Sequence, residues 1–253
     1  KFQNLESKSM TSDEYIFGLR AILEACETDT PIQKVFLQKD LKGNLFQMVE
    51  TALRQKGIAI SYVPEERFRR FKSQNHQGAA ALISPVDYVD YIEKIDTCLQ
   101  QPKKAFFLIL DHITDVRNFG AILRTANSAG VDAVIIPSSG MAPITSESIK
   151  SSSGALFSTS ICRSTHIKDV IYYLQGSGVK VIAATEKAEQ NIYDEPLDEH
   201  IAIVMGSEDK GIHPSILKLV DAQAKLPMLG KVDSLNVSVA CGLFLYEVVR
   251  QRL

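Results

Sequence analysis

Apolar and polar positions along the chain fall into two blocks, each alternating between strand-like and helix-like patterns. In the first block, "DEYIFGLRAILEAC" puts Ile16, Leu19, Ile22 and Leu23 on one helical face, with Asp13 placed to cap it. "KVFLQ", "IAISYV" and "GAAALISP" read as strands. "NLFQMVETALRQKG" reads as a helix from Asn44 to Gly57, and "PEERFRRF" as a short helix opened by Pro64. This alternation predicts a small α/β domain over 13–86. Residues 87–104 are polar, contain Pro102 near their end and read as a linker.

The second block, 105–253, opens with "AFFLILD", a continuous apolar run suited to a strand buried on both faces. "AVIIP", "KVIAAT", "IAIVMG" and "QAKLPM" read as further strands. Between them lie predicted helices: "NFGAILRTANSAG" closed by Gly130, the polar "ITSESIKSSSGAL", "IKDVIYYLQGSG" and "PSILKLVD". A long helix ends the chain. Strands and helices joined by short links predict a mostly parallel sheet.

The chain has 253 residues, enough for one or two domains, and 45 % are hydrophobic. A formal net charge of -2 gives no overall basic signature, so a nucleic-acid role needs a local patch. The 4 cysteines, Cys26, Cys98, Cys162 and Cys241, are scattered without C-x-x-C spacing. They read as free thiols in a reducing compartment, and no metal is expected. The polar opening "KFQNLESKSM" has no apolar core of a signal peptide and reads as a mobile tail over 1–12. No apolar run reaches the roughly 20 residues of a membrane helix. The expectation is a cytoplasmic protein with no membrane partner.

Open parallel sheets bind ligands beyond the carboxyl ends of their strands. The loop after the first long strand, "DHITDVRNFG", lacks the glycines of a dinucleotide fingerprint. Phosphate-loop and nucleophile-elbow motifs are also missing. Three polar clusters at strand ends remain.

In "DVRNFGAILRTANSAG", Asn118 and Arg124 are six positions apart, about 600° of helical rotation, so they leave a common stripe unless Asn118 lies in a loop. The plain alternatives are a helix cap for Asn118 and a surface arginine for Arg124. In "IVMGSEDKGIHP", Gly206 permits close backbone approach, and Glu208 can accept from a ligand or hold Arg124. The alternative is an ordinary strand-to-helix turn. In "VDSLNVSVACGLFLYEVVRQRL", Ser234 reads as the N-cap, and Val237, Ala240, Cys241, Phe244, Leu245 and Val248 as a buried stripe. Asn236 then falls in the first turn, where free N–H groups make a ligand site.

Taken in order, "RNFGAILRTANSAGVDAVIIP", "IAIVMGSEDKGI" and "AKLPMLGKVDSLNVSVACGLFLYEVVRQ" resemble the three motifs of the SpoU (TrmH-like) branch of the SPOUT methyltransferases. "YIFGLRAILEAC" and "NHQGAAALISP" resemble that family's substrate-binding extension, whose fold is like certain ribosomal proteins. The combination is most similar to the group that methylates a guanosine ribose of large-subunit (23S-type) ribosomal RNA. The resemblance implies a SPOUT-type parallel sheet with a trefoil knot, a homodimer, and S-adenosyl-L-methionine as methyl donor. It makes Arg124 catalytic, with Asn118, Glu208, Ser234 and Asn236 around it. It also implies cofactor contacts at Gly206, Leu226 and Leu235. Val116, Ser207 and Asp209 depart from the usual motifs. Asp209 in particular questions any positive φ at its position.

RNA requires positive charge. "ERFRRFKSQNH" supplies Arg67, Arg69, Arg70 and Lys72, interleaved with Phe68 and Phe71 that can stack on bases. The alternative is an amphipathic helix with its phenylalanines buried. Arg117, Lys150, Arg163, Lys210 and Lys231 are candidates for the catalytic mouth, and His76 for either RNA contact or a turn. Competing functions are transfer-RNA ribose methylation and a non-catalytic RNA-binding or ribosome assembly factor.

Overall fold

The structure, a computed structural model, describes residues 15–28, 30–72, 74–231 and 234–253, without the side chain of Arg70. The expected tail over 1–12 and the expected cap at Asp13 lie outside the described residues. The chain divides into two compact units, 1–86 and 87–253.

The first unit contains β1 (Tyr15–Phe17), α1 (Leu19–Glu27), β2 (Ile32–Gln38), α2 (Asn44–Gln55), β3 (Ala59–Val63), a 3-10 helix (Glu65–Phe71) and β4 (Ala79–Ile83). Its strands run in the order β1-β4-β2-β3, with β2 and β3 parallel and the other pairs antiparallel. One face packs Val35, Leu37, Ala79 and Ala81 against Ile22, Cys26, Val49 and Leu53 of α1 and α2. The opposite face carries Tyr15, Ala80 and Leu82, packed with Phe68 and Phe71 of the 3-10 helix.

The predicted first helix is shorter than its spacing implied. Tyr15–Phe17 pair with Leu82–Ala80 as a strand. Gly18 follows at φ 87 and turns the chain into α1.

The second unit contains β5 (Tyr88–Val89), α3 (Tyr91–Leu99), β6 (Phe106–Asp111), α4 (Val116–Ser128), β7 (Ala133–Pro137), α5 (Ser146–Ser151), β8 (Ile161–Ser164) and α6 (Ile167–Gly176). It continues with β9 (Lys180–Ala184), β10 (Gln190–Asn191), β11 (Ile201–Gly206), α7 (Pro214–Leu217), β12 (Ala222–Lys225) and α8 (Val237–Arg252). The strand order is β10-β12-β9-β11-β6-β7-β8-β5, and each described pair is parallel. From β6 the chain steps outward through β7 to β8, then crosses to β9 and returns to place β11 beside β6. The connections therefore diverge between β6 and β11, which opens a crevice at the carboxyl ends of these two strands.

The expected linker over 87–104 is not one. Tyr88 and Val89 add a strand to β8, and Ile95 and Cys98 of α3 are buried in the core with Ile171 and Leu174 of α6. Asp90 caps α3 by accepting from the N–H groups of Ile92 and Glu93 at 2.9 and 3.0 Å. The charged residues that made this segment look like a linker lie on its solvent face.

Helix α8 is anchored at both ends. At its C-terminal end, Arg252 donates to the carbonyls of Glu199 (2.6 Å), Lys104 (3.2 Å) and Ala105 (3.3 Å), with its guanidinium 5.1 Å from the Phe106 ring centre. These residues lie at the amino ends of β6 and β11, so the helix N-terminus is delivered to the carboxyl ends. Buried Glu247 accepts from Arg250 at 2.7 and 2.8 Å and from Gln251 at 2.8 Å. The Arg250 hydrogen bonds hold its carboxyl below the usual range, against the opposing effect of burial.

A folded pKa below the unfolded value of about 4.3 stabilises the fold above that pH. The contribution fades as pH falls through the lowered value. Glu247→Gln is expected to cost about 1 kcal/mol at pH 7, with the gap from wild type closing below about pH 4. Thermal unfolding at the two pH values measures it.

Candidate functional site

Three carboxyl-end connections meet at the start of α8. Asn118 arrives on α4 after β6, Glu208 on the turn after β11, and Asn236 just before α8. Asn236 Nδ2 donates to Glu208 Oε1 at 2.6 Å and to Asn118 Oδ1 at 3.0 Å. Its Oδ1 accepts from the Ser238 N–H at 3.0 Å and the Ser238 hydroxyl at 2.5 Å. Because the backbone N–H is an unambiguous donor, this bond fixes the orientation of the amide. Glu208 Oε1 also accepts from the Val237 N–H at 3.1 Å. A carboxylate there is further favoured by the positive end of the helix dipole.

Two sequence expectations change here. Asn236, not Ser234, caps α8; Ser234 lies two residues earlier, exposed along the neighbouring cleft. Asp115 caps α4, accepting from the N–H groups of Arg117 and Asn118 at 2.9 and 2.8 Å. Asn118 is therefore helical rather than in a loop. The network leaves two groups for a ligand: among the described residues, Asn118 Nδ2 and Glu208 Oε2 have no hydrogen-bond partner.

The cleft beside this network is lined by residues after β9, β11 and β12 and by the start of α8. Gly206, Glu208, Leu226, Ser234 and Leu235 all line it, with Thr185, Glu186, Met228 and Phe244. Leu226 and Leu235 are not core residues; Leu235 is 39 % exposed.

The turn after β11 is closed by Ser207 and Gly211, whose backbones exchange hydrogen bonds of 3.2 and 2.8 Å. A Cβ on Gly206 would sit 2.2 Å from the Gly211 carbonyl carbon and 2.3 Å from the Ile212 nitrogen. The positive φ of this turn falls on Gly211, at +64, and not on Asp209. The departure at Asp209 therefore imposes no backbone strain of that kind.

Sequence reasoning passed over Asp111, the carboxylate that ends the apolar run of β6. It is buried and accepts from the His213 N–H at 2.8 Å, tying β6 to the chain beyond the Glu208 turn. Its other oxygen is 2.5 Å from His112 Nδ1. A lone acid closing a strand that apolar was the available signal.

Arg124 lies on α4, exposed, and does not join the Asn118–Glu208–Asn236 network. Among the described residues, its guanidinium has no ion pair or hydrogen bond. Two of the other candidates for the mouth have structural partners: Arg117 pairs with Glu147 at 2.8 Å, and Arg163 donates to the Ser138 carbonyl at 3.0 Å, 4.5 Å from the Tyr88 ring centre.

In the first unit, Arg67, Arg69 and Lys72 are exposed, and the side chain of Arg70 lies outside the described residues. Phe68 and Phe71 are 2 % and 8 % exposed, so they do not offer stacking faces as expected; they fill the sheet. His76 stacks on Phe68 at 4.8 Å, and its Nδ1 accepts from the Gly78 N–H at 3.0 Å, which is the turn role.

A parallel sheet with a polar network where β6 meets β11, and a cleft beside it at the carboxyl ends of β9, β11 and β12, marks a class of ligand-binding α/β protein. Comparison with known proteins makes the class specific. Residues 105–246 match the SpoU rRNA Methylase family, and residues 15–89 match the RNA 2'-O ribose methyltransferase substrate binding domain. The chain belongs to the SpoU methylase family.

It is 36 % identical over 244 residues to the 23S rRNA (guanosine-2'-O-)-methyltransferase RlmB of Photobacterium profundum, covering 95 % of this chain and 99 % of that one. It is 32 % identical over 240 residues to the putative TrmH family tRNA/rRNA methyltransferase YacO of Bacillus subtilis, covering 94 % and 96 %. Its fold matches that of the SpoU methyltransferase AviRb from Streptomyces viridochromogenes in complex with AdoMet. That match has a TM-score of 0.59 and 21 % identity over 94 % of this chain and 90 % of that one.

Proposed function

We propose that this protein transfers a methyl group from S-adenosyl-L-methionine to a ribose 2'-hydroxyl of RNA, with a guanosine of 23S-type ribosomal RNA as target. The observation that carries the reading is the Asn118–Asn236–Glu208 network with its spare donor and spare acceptor. A hydroxyl that must be held in one orientation needs such a pair.

The cleft suits the cofactor. Leu226, Leu235 and Met228 offer apolar surface for an adenine above the buried Phe244, and the tight Gly206–Gly211 turn brings peptide groups to the cleft wall. Bound there, S-adenosyl-L-methionine would supply an electrophilic methyl. The residues supply position and charge. Asn236 uses both amide hydrogens and its oxygen, so it locks Asn118 and Glu208 in place. Glu208 Oε2 then accepts from the ribose hydroxyl, whose proton passes through it to solvent as the oxygen takes the methyl and the sulfur keeps the electron pair of the broken bond, and Asn118 Nδ2 donates to the sugar. Arg124, without a carboxylate partner, grips a phosphate and stabilises alkoxide charge. Ser234 faces the same cleft and completes the set.

Arg67, Arg69, Arg70 and Lys72 of the first unit hold RNA phosphates. Val239, Leu243 and Tyr246 are 52 %, 42 % and 49 % exposed and share one face of α8, which supports a homodimer. The reading includes the family's threaded C-terminal path and a cytoplasmic place of work. Among the described residues, no helix is long and apolar enough to cross a membrane.

The test supplies labelled S-adenosyl-L-methionine with 23S rRNA and with tRNA transcripts, then maps ribose methyls by primer extension. Label confined to one guanosine of 23S rRNA is expected. Label in tRNA alone would move the substrate to tRNA. No label in either RNA, with cofactor bound, would favour the assembly factor.

A further inference from the structure

The acid that ends β6 and the histidine after it form a pair to which the methylation chemistry gives no role. Asp111 is buried, and its Oδ2 accepts from the His213 N–H at 2.8 Å, which fixes the carboxylate. Its Oδ1 lies 2.5 Å from His112 Nδ1. A carboxylate accepts, so Nδ1 carries the hydrogen and Nε2 of the neutral ring keeps its lone pair. The ring is 56 % exposed, and among the described residues Nε2 has no hydrogen-bond partner.

His112 holds this pose against backbone preference. Its φ is +61, a left-handed conformation uncommon outside glycine. The loop after β7 leaves room for the ring. The Ala142 N–H donates to the Ile113 carbonyl at 2.7 Å, and a Cβ on Gly140 would fall 2.5 Å from His112 Cδ2 and 2.9 Å from Nε2. Strain of this kind gathers where a side chain must be aimed.

The pair also stands where substrate has to arrive. Asp111 is level with Gly206 in the β6–β11 register, so His112 follows at the same sheet edge as the Glu208 turn. The cleft lies over β9, β11 and β12, the Asn118–Asn236–Glu208 network where β6 meets β11, and the His112 ring against the loop after β7. In-line displacement puts the attacking oxygen on the side of the methyl away from the sulfur. A ribose held by the network therefore comes in over β6 and β7, beside His112.

We propose that His112, oriented by Asp111, is the proton acceptor of the methyl transfer, taking at Nε2 the ribose proton that Glu208 Oε2 passes on. The proposal rests on the methyltransferase reading above and gives its proton a route to solvent. The O–H bond breaks as the oxygen–methyl bond forms, and the sulfur keeps the electron pair of the bond it loses. The proton ends on Nε2, where Asp111 faces the new positive charge, and leaves from the exposed ring to water. Imidazole suits the task because its charge changes near neutral pH. Asp111 is the charged group in contact with it. The loop over 138–142 has no ionisable side chain, the His213 ring is engaged by the Ser215 hydroxyl at 2.7 Å, and Asp115 is spent on capping α4. The turn after β11 carries Glu208, Asp209 and Lys210.

The test uses the full chain, labelled S-adenosyl-L-methionine and a 23S rRNA transcript in single turnover across the neutral pH range. The wild-type rate is expected to climb with pH along one limb. Glycine takes φ +61 without strain, so His112→Gly removes the ring and keeps the backbone. It is expected to lose about 100-fold in rate and the limb with it, with cofactor and RNA affinity within about twofold. Added imidazole is expected to restore part of that rate. Asp111→Asn removes the negative charge behind the ring, so it is expected to slow the reaction and move the limb to lower pH. A merely structural Asp111 would leave the limb in place.

A His112→Gly protein with the wild-type rate and limb overturns the proposal and leaves the methyltransferase reading standing. If His112→Gly loses RNA affinity while its rate at saturation is unchanged, His112 is a binding contact, which also overturns it. Should His112→Gly fail to fold, a flat wild-type profile overturns the proposal without any variant. Wild-type protein that binds cofactor but methylates neither 23S rRNA nor tRNA removes the methyltransferase reading and the proposal together.

Discussion

Alanine at Gly206 is expected to abolish methyl transfer and cofactor binding together. Its Cβ would fall 2.2 Å from the Gly211 carbonyl carbon, 2.3 Å from the Ile212 nitrogen and 2.5 Å from the Gly211 oxygen. All three are backbone atoms, so no side chain can swing aside. Relief requires opening the paired turn between Ser207 and Gly211. Glu208 sits on that turn, and its carboxylate holds both Asn236 and the first N–H of α8. The damage therefore passes from one methyl group to the cleft wall, the polar network and the helix start.

We expect a loss of about 3 kcal/mol in stability of the second unit and at least about a hundredfold in cofactor affinity. Calorimetric titration with S-adenosyl-L-methionine and thermal unfolding measure both. Gly176→Ala, where a new Cβ meets nothing within 4 Å, is the control and should leave cofactor affinity unchanged without lowering stability. A Gly206→Ala protein that binds cofactor like wild type would sink the assignment of this cleft.

Much of this architecture could be read from apolar runs. "FFLILD" and "IAIVMG" are buried at every position, and parallel strands covered on both faces need no alternation to reveal them. The elements that escaped were those without such a run. β8 is "ICRS", while β5 and β10 have two residues each; neighbouring strands make them, not their own composition. α3 did carry a signal, with Tyr91, Ile95, Cys98 and Leu99 at helical spacing behind the Asp90 cap. Its charged outer face hid that signal.

The candidate site was legible as residue types and illegible as roles. Ser234, Asn236 and Ser238 are all credible caps by local chemistry. Glu208, 28 positions away in sequence, selects Asn236 by holding its amide and the Val237 N–H. Local propensity contains no such information. The same limit applies to Phe68 and Phe71, whose spacing fits a stacking surface or a core plug equally well. Tyr15 and Leu82, brought together by strand pairing, decide for the plug.

Loss of the Arg124 guanidinium is expected to lower the single-turnover rate by about 10²–10³-fold while leaving cofactor affinity within about twofold. The prediction follows from what Arg124 lacks. Arg117 has Glu147 and Arg250 has Glu247, but Arg124 has no acidic partner among the described residues. An exposed guanidinium six residues along α4 from Asn118 is free to meet an anion that arrives with the substrate.

Arginine side chains keep their proton across the working pH range, so a role as proton acceptor is chemically poor. Charge stabilisation makes a different forecast. Arg124→Lys should recover part of the rate lost in Arg124→Ala, and added guanidinium ion should rescue Arg124→Ala without changing the shape of its pH–rate profile. A proton-acceptor role would instead show as a displaced profile in the lysine variant. RNA affinity should fall only by the share of one phosphate contact, with the salt slope reduced by about one. An Arg124→Ala protein with near-full turnover and normal RNA binding would remove Arg124 from the reaction and leave charge stabilisation to a group on another element.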